Sequence, residues 1–282
     1  GRALRWAAAE GAFQISINRD GFRSCSNYGA RSGDFVIACI GGSTTVNGKA
    51  DNATYPFLLG RELRAATGRR ARVVNCGVSA LHARGYMPIL DRLLSRQLPD
   101  LVVEYNGVND ICRSLFPQWR ARLGWLPRLL LRSRFVELAF GDAFVPDEQT
   151  IRRDMQSQII DSLQEVAAVL ENNGVAFGVC SFVYPDPGRL SRLEYDYLNR
   201  DLRHWWRSEY ISFRKYCDIV RIYNSMLRDA FRAGPALYLP LAEAAAFGPG
   251  EFYDICHMTI AGRRKKAAAV AQLIAPVLLK LR

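Results

Sequence analysis

The chain has 282 residues, 49% hydrophobic and 23% charged, enough for one sizeable core and most simply a single large domain. Its 38 Lys and Arg against 27 Asp and Glu leave a net charge of +11 and a pI of about 9.5. That balance favours anionic surfaces such as phospholipid head groups or acidic polysaccharide; with no zinc-finger, RNA-binding or helix-turn-helix signature, no nucleic acid partner is expected.

No stretch approaches the uninterrupted apolar length that spans a bilayer. Seven cysteines with no CxxC pair and no regular spacing argue against a disulfide framework or a zinc site. The chain begins without Met or a signal-peptide pattern, which reads as a processed or trimmed terminus.

Residues 1–34 are irregular and read as an arm packed on the domain, with Asp20-Gly21 as a turn. An apolar run of strand length, Phe35 to Ile40, then stops at Gly41-Gly42 and delivers Ser43. Helical spacing of Leu58, Leu59, Leu63 and Ala66 predicts a helix over 55–67, closed by Gly68. Arg72 to Cys76 reads as a second strand ended by Gly77. Leu81 to Leu98 reads as a helix. Leu101 to Tyr105 reads as a third strand running into Asn106-Gly-Val-Asn-Asp110. Strands alternating with helices, each strand end delivering glycine and a small polar residue, predict a parallel sheet covered on both faces.

Residues 111–147 break this rhythm. Arginines interleave with Trp119, Trp125, Phe135 and many leucines, and Leu126-Pro127 divides the segment into two short helical pieces. Such a basic amphipathic insertion can pack on the core with its arginines in water, lie on a membrane surface, or close over a greasy substrate. A long helix over 148–173 and a fourth strand over 175–183 follow. Residues 193–216 read as one aromatic-rich helix, Ile219 to Ile222 as a fifth strand, 225–232 as a short helix, and 258–281 as the closing helix.

A serine at the carboxyl end of a central parallel strand sits where open α/β sheets bind ligands. As a nucleophile it needs a base, a carboxylate to orient that base, and donors for the oxyanion. With three histidines in the chain, the base can be searched exhaustively. His82 follows the second strand and His204 lies in the aromatic helix. Only His257 has a carboxylate, Asp254, three residues upstream, where one turn can bring it to Nδ1 and leave Nε2 for Ser43. The oxyanion candidates are the Ser43 and Gly77 backbone N–H groups and the Asn109 side-chain amide, which donates without titrating. Gly77 and Gly107 leave room for close approach of substrate to the backbone.

Gly41-Gly-Ser-Thr-Thr45, Asn75-Cys-Gly77, Gly107-Val-Asn-Asp110 and Asp254-Ile-Cys-His257 resemble, in order, the four blocks of the SGNH (GDSL-type) hydrolases. Thr54-Tyr-Pro56 and the 18–23 turn resemble bacterial, often membrane-tethered members. The resemblance implies a flavodoxin-like three-layer α/β/α sandwich around a five-stranded parallel sheet. It implies ester hydrolysis through Ser43, His257 and Asp254, with Ser43, Gly77 and Asn109 as oxyanion donors, no cofactor and no metal. The substrate would be an acylated carbohydrate or lipid, and the setting extracytoplasmic or membrane-peripheral. Gly42 departs from the family's frequent Asp, and Tyr105-Asn106 departs from its usual residues before Gly107. O-acyl transfer by the same triad, or anionic-surface binding with a vestigial triad, are the alternatives.

Overall fold

The computed structural model describes residues 15–18, 20–23, 34–96, 98–206 and 210–280. Five strands, β1 (Phe35–Gly41), β2 (Ala71–Asn75), β3 (Leu101–Tyr105), β4 (Ala176–Cys180) and β5 (Leu237–Leu239), form one sheet in the order β2-β1-β3-β4-β5. Every neighbouring pair is parallel. The β1 and β3 residues are all buried, as expected of strands covered on both faces. Glu104 in β3 is the polar exception: it accepts a 2.8 Å hydrogen bond from the Tyr86 hydroxyl, and burial raises its carboxyl well above the usual range.

After β1 comes the four-residue helix α1 (Ser43–Val46), then α2 (Tyr55–Thr67). Thr54 caps α2 by accepting from the Phe57 N–H, and Pro56 in its first turn has no N–H to leave unpaired. Helix α3 (Met87–Leu94) follows β2. The right-handed crossover rule sends α2 and α3 to opposite faces, because β1→β2 and β2→β3 run in opposite directions across the sheet. The order therefore reverses between β1 and β3, the crevice where such sheets take ligands.

The insertion contains a π-helical turn (Asp110–Leu115), α4 (Phe116–Arg122), α5 (Trp125–Leu130) and α6 (Arg134–Phe140). It breaks at Leu123-Gly124 rather than at Leu126-Pro127: Leu123 is extended, while Pro127 sits in the first turn of α5, where a missing N–H is tolerated. Next come α7 (Glu148–Met155), a π-helical turn (Gln156–Ile160) and α8 (Asp161–Asn172), the expected long helix with one bulge.

Three further expectations are corrected. The helix expected over 81–98 is confined to α3, because Leu81 and Ala83 are held by hydrogen bonds at the site and Ala83–Gly85 form only a single 3₁₀ turn. The helix expected over 193–216 is two, α9 (Arg192–Trp205) and α10 (Phe213–Phe231). Ser212 starts α10 by accepting from the Lys215 N–H, and Asp142 accepts from the Ser212 N–H at 2.7 Å. Ile219 to Ile222 belongs to α10 and is no strand; the fifth strand is the three-residue β5. A short α11 (Leu241–Ala244) and the closing α12 (Ile260–Lys280) complete the chain, with α12 packed on α2.

In the described part of the arm, Arg23 bridges to Asn75 of the edge strand and pairs with Asp51 at 2.9 Å. The rest of the arm lies outside the described residues. Cys39, Cys76, Cys112, Cys180, Cys217 and Cys256 are buried free thiols; Cys25 lies outside the described residues.

Candidate active site

Ser43 is the first residue of α1, so its N–H has no acceptor within the helix. Its position beside Asn109 depends on the glycine before it. A Cβ at Gly42 would lie 2.1 Å from the Asn109 Nδ2 and 3.1 Å from the Asn106 Oδ1. The bare backbone at 42 is what lets the Asn109 amide approach the nucleophile's turn. Asn109 Nδ2 and Asn106 Nδ2 each donate to the Leu81 carbonyl at 3.0 Å, and Asp110 accepts from the Ala83 N–H at 2.8 Å. Together they draw the 81–83 loop to the site.

The acid–base pair comes from a tight loop before α12. An isolated antiparallel bridge joins Phe252 to Met258, and the Tyr253 N–H donates to the His257 carbonyl at 3.1 Å. Asp254 Oδ1 accepts from the Cys256 and His257 N–H groups at 2.8 and 2.6 Å, an Asx-type closure. This leaves Oδ2 to bind His257 Nδ1 at 2.5 Å, and His257 Nε2 lies 2.8 Å from Ser43 Oγ. Burial disfavours the charge on Asp254, but His257 and the bonds from His257 and Cys256 outweigh it and lower the carboxyl below its ordinary value. Burial likewise opposes protonation of His257, and Asp254 prevails, raising the imidazole above its usual 6.5.

Two rings flank the imidazole. Tyr253 stacks on it at 5.9 Å and 12°, and Trp206 lies on it at 5.9 Å and 35°. Asn47, the residue that ends α1, donates to the Tyr253 hydroxyl and so ties the clamp to the serine's own helix. The Arg113 guanidinium lies over the Trp206 ring at 5.9 Å. Asp201 accepts from the Ile255 N–H and the Trp206 side chain; burial, with Asp254 nearby, pushes its carboxyl up to about 6.

Behind the nucleophile, Lys266 of α12 is 1% exposed and donates to the Thr44 carbonyl at 2.9 Å. Its ammonium lies 3.8 Å from the ring centres of both Tyr55 and Tyr105. Burial pushes it down to about 7.

Ser43, Asn109, Asp254 and His257 share one open cavity of about 540 Å³ with Arg113, Tyr197, Asp201, Trp205, Trp206 and Tyr253. Gly77 is not on its wall. Its N–H donates to the Asn75 Oδ1 at 3.1 Å, and it packs against Thr45 and Val46, leaving no room for a side chain. Gly107 is buried with Phe182 on it, so its space is filled by protein rather than open to substrate. Tyr105 and Asn106 likewise face inward, toward Lys266 and Leu81, and do not line the cavity. Neither His82 nor His204 lines the cavity, and His204 is exposed.

Among the described residues, Asp254, Cys256 and His257 are the one set of three or more His, Cys, Asp or Glu with metal-ligand spacing, their atoms within 4.8 Å. The donor chemistry fits a metal poorly. His257 Nδ1 and Asp254 already bind each other, and burial raises the Cys256 thiol well above the range where it would ionise.

Solved structures share this arrangement of sheet and helices. LAE5, an alpha/beta hydrolase enzyme from the metagenome of Lake Arreo, Spain, is 18% identical over 89% of this chain and 98% of its own, with a TM-score of 0.52. TesA is 16% identical over 86% of this chain and 99% of its own, also at 0.52. The fold is that of the SGNH hydrolases. No family model and no curated protein matches the sequence.

Within the SGNH fold, sequence reasoning missed Tyr253, Asp201 and Lys266. Tyr253 adjoins the Asp254–His257 block. Lys266 carried a readable signal: it falls four residues before Val270 on the apolar face of α12, where a lysine requires a buried partner. Asp201 and Trp206 meet His257 only through tertiary packing.

Proposed function

We propose that this protein is a serine ester hydrolase working through an acyl-enzyme on Ser43. The observation that carries the reading is the continuous chain Ser43 Oγ, His257 Nε2, His257 Nδ1 and Asp254 Oδ2, with contacts of 2.8 and 2.5 Å. His257 takes the hydroxyl proton as Ser43 attacks the ester carbonyl, and Asp254 holds the tautomer that leaves Nε2 free to accept. The oxyanion is met by the Ser43 N–H and the Asn109 amide; Gly77 becomes a third donor once its N–H turns from Asn75. The alcohol departs with the proton from His257, and water, activated by the same imidazole, releases the acid. The aromatic wall of the cavity suits an acyl group or alcohol with apolar surface.

The test is hydrolysis of p-nitrophenyl esters of increasing acyl length by the parent, Ser43→Ala and His257→Ala. Turnover that falls by about 10⁴ or more in both variants is the expected result. Retention of parental turnover by Ser43→Ala overturns the assignment. Esters that react only when an alcohol acceptor is supplied, giving a new ester in place of acid, would make the enzyme an acyltransferase on the same triad.

A further inference from the structure

The insertion carries an apolar surface that none of the described residues covers. Helices α5 and α6 bury none of their residues. Trp125 is 77% exposed, Phe135 71%, Phe140 56% and Leu129 51%, and Leu126 and Leu138 are exposed beside them. Apolar surface of this extent on a folded chain marks an interaction site. Around it lie five arginines, at 120, 122, 128, 132 and 134, of which Arg122 pairs with Asp154 and Arg134 with Glu137. Both acids are largely covered while the two arginines are not, so the charge presented outward is positive.

We propose that this face docks on an anionic phospholipid bilayer. The charge selects the occupant. Aromatic and leucine side chains enter the boundary between head groups and acyl chains while neighbouring arginines meet lipid phosphates, which is how amphipathic surface helices bind. A second copy of the same face would bring arginines against arginines, and a purely polar polyanion would leave the leucines in water. Among the described residues no helix is long and apolar enough to cross a membrane.

Helix α9 links the face to the cavity. Arg203 of α9 donates to the Glu137 carbonyl of α6 at 3.1 Å. Two residues on, Trp205 is 71% exposed and lines the cavity with Trp206. A docked molecule would hold the Ser43 cavity at the lipid surface and take an ester carried there. That substrate class rests on the esterase reading; the docking does not.

Flotation with vesicles tests it: phosphatidylglycerol mixed with phosphatidylcholine against phosphatidylcholine alone, for the parent and for a Trp125→Ser, Phe135→Ser double variant. Turnover of p-nitrophenyl acetate is measured alongside, with circular dichroism as the check on folding. The parent should bind the anionic vesicles, bind them less as salt rises, and bind neutral ones weakly. The double variant should lose about tenfold or more in vesicle affinity while turning over the soluble ester like the parent. A parent that ignores anionic vesicles, or a double variant that binds as well as the parent, overturns the proposal. So does a parent dimer in sedimentation that the double variant breaks into monomers. Vesicle binding without ester turnover supports docking and overturns the esterase reading; turnover without vesicle binding does the reverse.

Discussion

The crevice between β1 and β3 and the helices α5 and α6 are built on opposite plans. At the crevice, residues far apart in sequence hold one another: Ser43 with His257, Asn109 with Leu81, Lys266 with Thr44, Asn47 with Tyr253. In α5 and α6 no residue is buried, and the apolar side chains point outward. The first region is over-determined, so each removal should be felt in activity. The second carries apolar surface that contributes almost nothing to the packing of the described residues, and the docking proposal gives those side chains a role outside the molecule.

The largest expected effect is at Asp254. In Asp254→Asn the side chain can still accept from backbone N–H groups but favours the wrong histidine tautomer, and turnover should fall by about 10⁴. Because Asp254 raises the His257 pKa, the acidic limb of kcat/KM in the parent should inflect above the ordinary imidazole value of 6.5. The sign is fixed by the role: a base works deprotonated, so a raised pKa moves loss of activity to higher pH. An inflection below 6.5 would mean that Asp254 does not act on His257 as the contacts imply.

A pair of phenylalanines sharpens the contrast in stability. Phe116 opens α4 with no exposure, and Phe116→Ala should cost about 3–5 kcal/mol in denaturant unfolding. Phe135, the second residue of α6, lies largely in water, and Phe135→Ala should stay within about 0.5 kcal/mol of the parent. Equal losses at the two sites would mean that the α6 face packs against the chain in solution.

Next comes the oxyanion side. Asn109→Ala should lower turnover by about 10²–10³. Gly42→Ala should act through the same group, since the added methyl meets the Asn109 amide nitrogen at 2.1 Å. If turnover falls in Asn109→Ala and is untouched in Gly42→Ala, the Asn109 amide is not held by that contact.

What could be read from the sequence divides along the same line. Strand ends with a glycine and a small polar residue announce a crevice, and the four short blocks fall at three strand ends and one loop because the sheet gathers them there. Helix 55–67 was legible to the residue, since its cap, its period and Gly68 all agree. The fifth strand was not. Ile219-Val-Arg-Ile222 is too short a run to show its period alone, whereas the buried positions 216, 220, 223, 227 and 231 make the helix plain across its full length. The true β5 has only three residues, too few for any pattern. The 81–86 loop escaped because its conformation is set by Asn106, Asn109 and Asp110, partners more than twenty residues away.

The smallest effect tests how finely the crevice is tuned. Asp201 reaches His257 in two ways: its charge favours the imidazolium, and its bond to Trp206 steadies the ring lying on the imidazole. Asp201→Asn removes the charge and keeps a side chain that can still accept from Trp206. The His257 pKa should fall, so the acidic limb of kcat/KM should move to lower pH, while turnover on the plateau stays within a fewfold of the parent. Asp201→Leu removes both the charge and the bond, and should lower the plateau as well, because the indole is freed. If the two variants share one plateau and one limb, Asp201 supports the wall of the cavity without acting through His257. A limb that stays fixed in Asn while the plateau falls in Leu would assign its influence to the Trp206 contact alone.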